Sequence, residues 1–154
     1  MDIVGLEMGE SEVMYRILLY SDSAQRDLLP NSTLKVYLEK LLPDSIVLMS
    51  SFDVVEPVLH GFRPHLVILN HLKGRRGLDV ARWTKNQDGL VALNFTEGRP
   101  NTVGQMKWLT DFPSELCDLC LCRNKEVQNN LPPSVNSAVV GFPRLPFYIE
   151  PLSR

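Results

Sequence analysis

Two short polar segments carry most of the chemistry-bearing residues of this chain. They are Asn70-His71-Leu72-Lys73-Gly74 and Thr96-Glu97-Gly98-Arg99-Pro100-Asn101-Thr102, and each directly follows an apolar run, Leu66–Leu69 and Leu90–Phe95. Polar, glycine-containing loops at the ends of buried strands are where open α/β sheets hold their ligands. Glu97 at such an edge can act as a general base toward a hydroxyl group, its proton affinity set by burial and by the neighbouring Arg99. The same carboxylate can instead cap a helix or pair with Arg99. His71 is the alternative proton acceptor, an imidazole at the same edge, and it can equally be a hydrogen-bonded loop histidine. Asp22, Asn70, Thr96, Gly98 and Asn101 supply hydrogen-bonding side chains and open backbone for a bound substrate. Arg99 and Arg144 can grip a phosphate or an acidic sugar through paired N–H groups.

The first loop, residues 21–27 (Ser-Asp-Ser-Ala-Gln-Arg-Asp), contains no glycine. It therefore lacks the fingerprint that lets backbone approach a dinucleotide pyrophosphate. No Gly-x-x-x-x-Gly-Lys-Ser/Thr loop occurs either, so no nucleotide cofactor is expected. The three cysteines, Cys117, Cys120 and Cys122, fall within six residues. Their Cys-x-x-Cys spacing invites a metal or redox role, but a structural zinc site usually needs four ligands and no second pair exists. Residues 116–122 read more simply as a mostly buried strand in which cysteine serves as a small apolar residue, and no metal is expected. His65, at the start of a strand and on the opposite edge, reads as structural.

Elements that would position these residues follow from hydrophobic periodicity. Apolar runs at 16–20, 45–50, 65–70, 90–95, 116–122 and 137–140 predict six strands. Between them, helical spacing predicts helices at 34–42, 52–62, 77–87, 102–112 and 125–131. Pro30-Asn31-Ser32 supplies the start signal for the first of these helices, and Gly61 closes the second. The strand runs are continuous rather than alternating, and hairpin chemistry between them is nearly absent. That pattern predicts a doubly wound, mainly parallel, Rossmann-like α/β sheet of about six strands with helices on both faces. Right-handed crossovers would gather the loops 21–27, 50–53, 70–76, 96–102, 123–124 and 141–144 on one edge.

With 154 residues the chain has the size of one domain. Residues 1–14 read as a flexible N-terminal arm, 15–148 as a single Rossmann-like domain and 149–154 as a tail. A formal charge of −2 and a pI near 5.9 leave no electrostatic footprint for nucleic acid. No apolar run approaches the roughly 20 residues that span a bilayer. The N-terminus has no secretory pattern, so a cytoplasmic location is the expectation.

Taken in order, Ser21-Asp22-Ser23…Arg26-Asp27-Leu28-Leu29-Pro30, Leu69-Asn70-His71-Leu72-Lys73-Gly74, Thr96-Glu97-Gly98-Arg99-Pro100-Asn101-Thr102…Gln105-Met106…Trp108 and Gly141-Phe142-Pro143-Arg144 form a series. The series resembles the N-terminal domain of bacterial surface-polysaccharide biosynthesis proteins with the two-domain GT-B glycosyltransferase architecture. The resemblance runs from about Tyr15 to Tyr148, with Phe142 standing where a small polar residue is expected. It implies the acceptor-side half of a transferase, handling a glycan or polyol-phosphate acceptor. The nucleotide-sugar donor would be held by a separate C-terminal half, and the chain would be inactive alone. It further implies a catalytic base from this half, with Glu97 and His71 as the candidates.

A second stretch, Arg63-Pro64-His65-Leu66-Val67-Ile68-Leu69-Asn70 followed by Gly77-Leu78-Asp79-Val80-Ala81-Arg82, is similar to the centre of two-component receiver domains. Receivers carry a phosphorylatable aspartate where this chain has Asn70, and a paired acidic cluster where only Asp22 stands. Asparagine cannot form an acyl phosphate. This resemblance therefore implies a non-enzymatic pseudo-receiver, an interaction module. A count of six strands, against the five of receivers, weighs against it.

Overall fold

A computed structural model describes residues 14–21, 23–51, 53–72, 75–95 and 113–141, the side chains of 24–26 and 95 excepted. Their element order is β1 (Tyr15–Ser21), α1 (Ala24–Leu41), β2 (Ser45–Ser51), α2 (Val55–Phe62), β3 (Leu66–Leu69), α3 (Arg75–Lys85) and β4 (Leu90–Phe95). A 3₁₀ turn (Ser114–Leu116), β5 (Leu119–Cys122), α4 (Lys125–Asn129) and β6 (Ser137–Val139) follow. The six strands form one sheet in the order β2-β1-β3-β4-β5-β6, and every neighbouring pair runs parallel. The predicted doubly wound α/β architecture is the one observed. The helix expected at 102–112 lies outside the described residues.

Strand periodicity divides the core into two layers. Ile17, Leu19, Val47, Ile68 and Ala92 point to one face, where Leu34 and Leu38 of α1 pack on them. Leu18, Val67, Leu69, Val91, Leu93, Cys120 and Cys122 point to the other, beneath Val55 and Leu59 of α2, Val80 and Ala81 of α3 and Val127 of α4. Right-handed crossovers demand this split: β1 to β2 moves one way along the sheet, and β2 to β3 and β3 to β4 move the other. Leu18, Leu69 and Leu93 are wholly buried, each contributing about 2–3 kcal/mol of apolar burial.

Several boundaries differ from the expected ones for local reasons. α1 starts at Ala24 rather than at residue 34, and Pro30 lies inside it. Proline in a helix interior forfeits one backbone hydrogen bond and usually ends the helix. Here Pro30 sits on the buried side, flanked by Asp27 and Asn31, both buried, and tertiary anchoring overrides the local signal. α2 begins at Val55, not at residue 52. It is closed by Arg63 in the left-handed conformation (φ 47°), whose N–H donates to the Leu59 carbonyl at 3.0 Å; Gly61 lies within the helix. The 116–122 run is not one strand. Its first residue ends the 3₁₀ turn, Asp118 bends the chain, and only Leu119–Cys122 pairs in the sheet.

The end of α3 shows why a glycine follows Asp88. Asp88 itself takes the left-handed turn conformation (φ 57°). A Cβ at Gly89 would lie 2.7 Å from Thr84 Cγ2 and 3.2 Å from the Pro64 carbonyl oxygen. Gly89 therefore serves close approach between α3 and the entry to β3. Asp118 clamps the same end of the sheet. Its carboxylate accepts Lys85 Nζ at 2.7 and 2.9 Å and the Val91 N–H at 2.8 Å, tying the end of α3 to the starts of β4 and β5.

Candidate functional site

The strand order reverses at β1. Its connection leads to β2 on one side, while β3 continues the sheet on the other, which opens a crevice at the carboxyl ends of β1 and β3. Asn70 and His71 follow β3 immediately and therefore stand at this crevice.

Register explains the chemistry of the rim. Leu19 pairs with Ile68 and Leu69 with Leu93. Continuing the first ladder by two residues and the second by one aligns Ser21, Asn70 and Asn94 in a single row across three neighbouring strands. Ser51 extends the row on β2, where it pairs with Ser21. Tyr20, Leu69 and Leu93, the row directly beneath, are buried and apolar or aromatic. Side-chain alternation puts Ser21 on the face of Leu19 and Asn94 on the face of Ala92, both toward the α1 layer.

α1 completes the polar layer from above. Asn31 Nδ2 donates to Ser21 Oγ at 2.8 Å, a buried contact between helix and strand end. One turn earlier, Asp27 is 1% exposed and accepts the Ser23 N–H through Oδ2 at 3.1 Å. Its own N–H donates to the Ser23 carbonyl at 2.8 Å, so the carboxylate closes the first turn of α1 directly over the β1 exit. Burying serine, asparagine and aspartate side chains is costly unless they are hydrogen-bonded. Their concentration at the strand ends on one face marks the part of the molecule least explained by core packing.

α3 holds the other wall. Gly77, in its first turn, faces the loop after β3, where a Cβ would meet the His71 carbonyl oxygen at 3.0 Å and Leu72 Cα at 3.9 Å. Glycine here lets the helix approach the Asn70-His71 backbone, and Leu72, buried, pins the loop from below. Farther along the rim, Asn124 caps α4 by accepting the Val127 N–H at 2.9 Å.

Of the residues singled out by sequence, Asn70 and His71 are thus brought to the crevice rim. Asp22, Thr96, Glu97, Gly98, Arg99, Asn101 and Arg144 lie outside the described residues. Ser21, Asp27, Asn31 and Asn94 were not singled out. Asp27 and Asn31 are spaced i, i+4, a helical signal hidden by Pro30 between them. Asn94 interrupts an otherwise apolar strand one residue from its end, and that interruption is the signal that could have found it. No group of three or more potential metal ligands occurs among the described residues. The row carries amide and hydroxyl groups, with the Asp27 carboxylate on α1 above it and the His71 imidazole next to Asn70 in sequence.

A separate cavity of about 480 Å³ opens between α2 and α3, lined in part by Asp53, Glu56, His60, Asp79 and Trp83. It lies on the other layer of the fold, and neither Asn70 nor His71 lines it. The His60 and Trp83 rings meet there edge to face, with centroids 5.4 Å apart.

Neither protein-family models nor curated protein sequences match this chain. Among the described residues, no helix is long and apolar enough to cross a membrane.

Proposed function

We propose that this chain is the acceptor-side half of a GT-B-like transferase of surface-polysaccharide biosynthesis. Its rim would bind a glycan or polyol-phosphate acceptor, and a separate half would hold the nucleotide-sugar donor. The observation that carries this proposal is the row Ser21, Asn70 and Asn94 at the ends of three parallel strands, roofed by Asp27 and Asn31. Polar side chains of both hydrogen-bonding senses, set at a topological switch point, complement a polyhydroxylated ligand. In such a transfer a base takes the proton of an acceptor hydroxyl. The acceptor oxygen then bonds the donor's anomeric carbon and the nucleotide diphosphate leaves. His71 stands on the rim, and Glu97 follows β4 by two residues; these remain the proposed bases.

A pseudo-receiver module is the second reading. The first five strands follow the flavodoxin-like order β2-β1-β3-β4-β5, with Asn70 directly after β3. The sixth parallel strand, β6, pairs along β5 and extends the sheet beyond a five-stranded receiver, which favours the transferase half.

Titrating the ¹⁵N-labelled full chain with glycerol 3-phosphate and with disaccharides tests the proposal. Saturable amide shifts at Asn70, His71 and Asn94 are expected, reduced by Asn70→Ala. Absence of any shift at these positions at millimolar ligand would overturn acceptor binding and leave the interaction module as the better reading.

A further inference from the structure

The rim uses none of the three cysteines, yet two of them meet. Cys117 caps the 3₁₀ turn, donating its N–H to the Ser114 carbonyl at 3.1 Å, and Cys120 lies in β5. The bend at Asp118 folds the segment so that Cys117 Sγ and Cys120 Sγ are 3.5 Å apart. Both thiols are free. We propose that Cys117 and Cys120 form a dithiol modification site that is converted to an intramolecular disulfide by small-molecule disulfides of the glutathione class.

Three features support the assignment. The first is distance: closing the gap from 3.5 Å to an S–S bond of about 2.05 Å moves each sulfur by under about 1 Å. The second is the division of labour between the two thiols. The Cys120 S–H bonded to Cys117, helped by the backbone around Leu119 and Leu93, holds the Cys117 thiol below its ordinary range. The same bond and burial push the Cys120 thiol up. A nucleophile that ionises readily beside a partner that keeps its proton is the arrangement that thiol–disulfide exchange requires. The third is access. Cys117 is 8% exposed and Cys120 is 0%, so an incoming disulfide meets Cys117 first and Cys120 needs to reach only its neighbour. Cys122 is directed elsewhere, its Sγ donating to the Cys120 carbonyl at 3.9 Å.

The reaction balances in two exchanges. The Cys117 thiolate attacks one sulfur of the small disulfide, forming a mixed disulfide and releasing one thiolate, which takes up a proton. Cys120 then loses its proton and attacks Cys117 Sγ, forming the Cys117–Cys120 bond and releasing the second thiol. The dithiol is oxidised and the small disulfide is reduced to two thiols.

The test exposes the native full chain to oxidised glutathione, quenches with acid, alkylates the remaining thiols and maps peptides by mass spectrometry. Circular dichroism before quenching verifies that the chain is folded. The expected result is a Cys117–Cys120 cross-link with Cys122 recovered as an alkylated thiol. Cys120→Ser should stop at a glutathione adduct on Cys117, and Cys117→Ser should oxidise at least about tenfold more slowly. The wild-type result needs no variant to fold. Retention of all three thiols by the folded chain, a bridge that includes Cys122, or an adduct elsewhere in Cys120→Ser would each overturn the proposal.

Discussion

Replacing Asp118 with alanine should destabilise the domain by about 2–3 kcal/mol, most of it from one backbone amide. The carboxylate accepts both Lys85 Nζ (2.7 Å) and the Val91 N–H (2.8 Å). The Lys85 and Asp118 side chains are 30% and 33% exposed, so solvent screens their ion pair, and its loss costs only about 0.5 kcal/mol. Val91 is wholly buried. Its N–H would be left without an acceptor, at a cost of about 1–3 kcal/mol. With a urea m-value of about 1–3 kcal/mol/M for a domain of this size, the midpoint should fall by about 1–2 M at unchanged m. Asp118→Asn keeps an acceptor oxygen for Val91 and discards the charge, and should lose under about 1 kcal/mol. Native-state hydrogen exchange at Val91 should quicken in the alanine variant and remain slow in the asparagine variant. Equal losses in the two variants would refute the division drawn here and make the ion pair the dominant interaction.

Three further outcomes are expected. Asn31→Ala should cost about 1–2 kcal/mol by stranding Ser21 Oγ (2.8 Å from Asn31 Nδ2); adding Ser21→Ala should recover part of that loss in urea melts, because no unpaired partner remains. Gly77→Ala should forgo the gain of up to about 1 kcal/mol that alanine usually brings to a helix. Its Cβ, 3.0 Å from the His71 carbonyl oxygen, should shift the His71 amide resonance and weaken polyol binding. Iodoacetamide labelling across a pH series should modify native Cys117 at lower pH than an ordinary thiol, because its thiolate is favoured. Cys120 and Cys122, both pushed up, should stay unlabelled through that window.

Much of the architecture was readable from order of apolar runs alone. Parallel strands buried on both faces must be continuously hydrophobic, so Leu66–Leu69 and Leu90–Phe95 announce themselves. The first helix was harder. Pro30 is a strong local break, and only the inward anchoring of Asp27 and Asn31 explains why α1 runs through it. In the 116–122 segment the three cysteines are buried as expected, but Leu119 is exposed and the run is not a single strand; its bend at Asp118 is held by hydrogen bonds from Lys85 and Val91, elements distant in sequence.

The chain's own order of residues determined the fold class, the strand identities and the placement of Asn70 and His71 just beyond β3, because burial periodicity and turn chemistry act locally. Tertiary structure alone decided that Ser21, Asn70 and Asn94 share a row and that Asp118 is clamped by Lys85 and Val91, which sets the bend between two thiols whose Cys-x-x-Cys spacing was already visible. Register and crossover handedness bring together residues tens of positions apart, and no short-range pattern encodes which of them become neighbours.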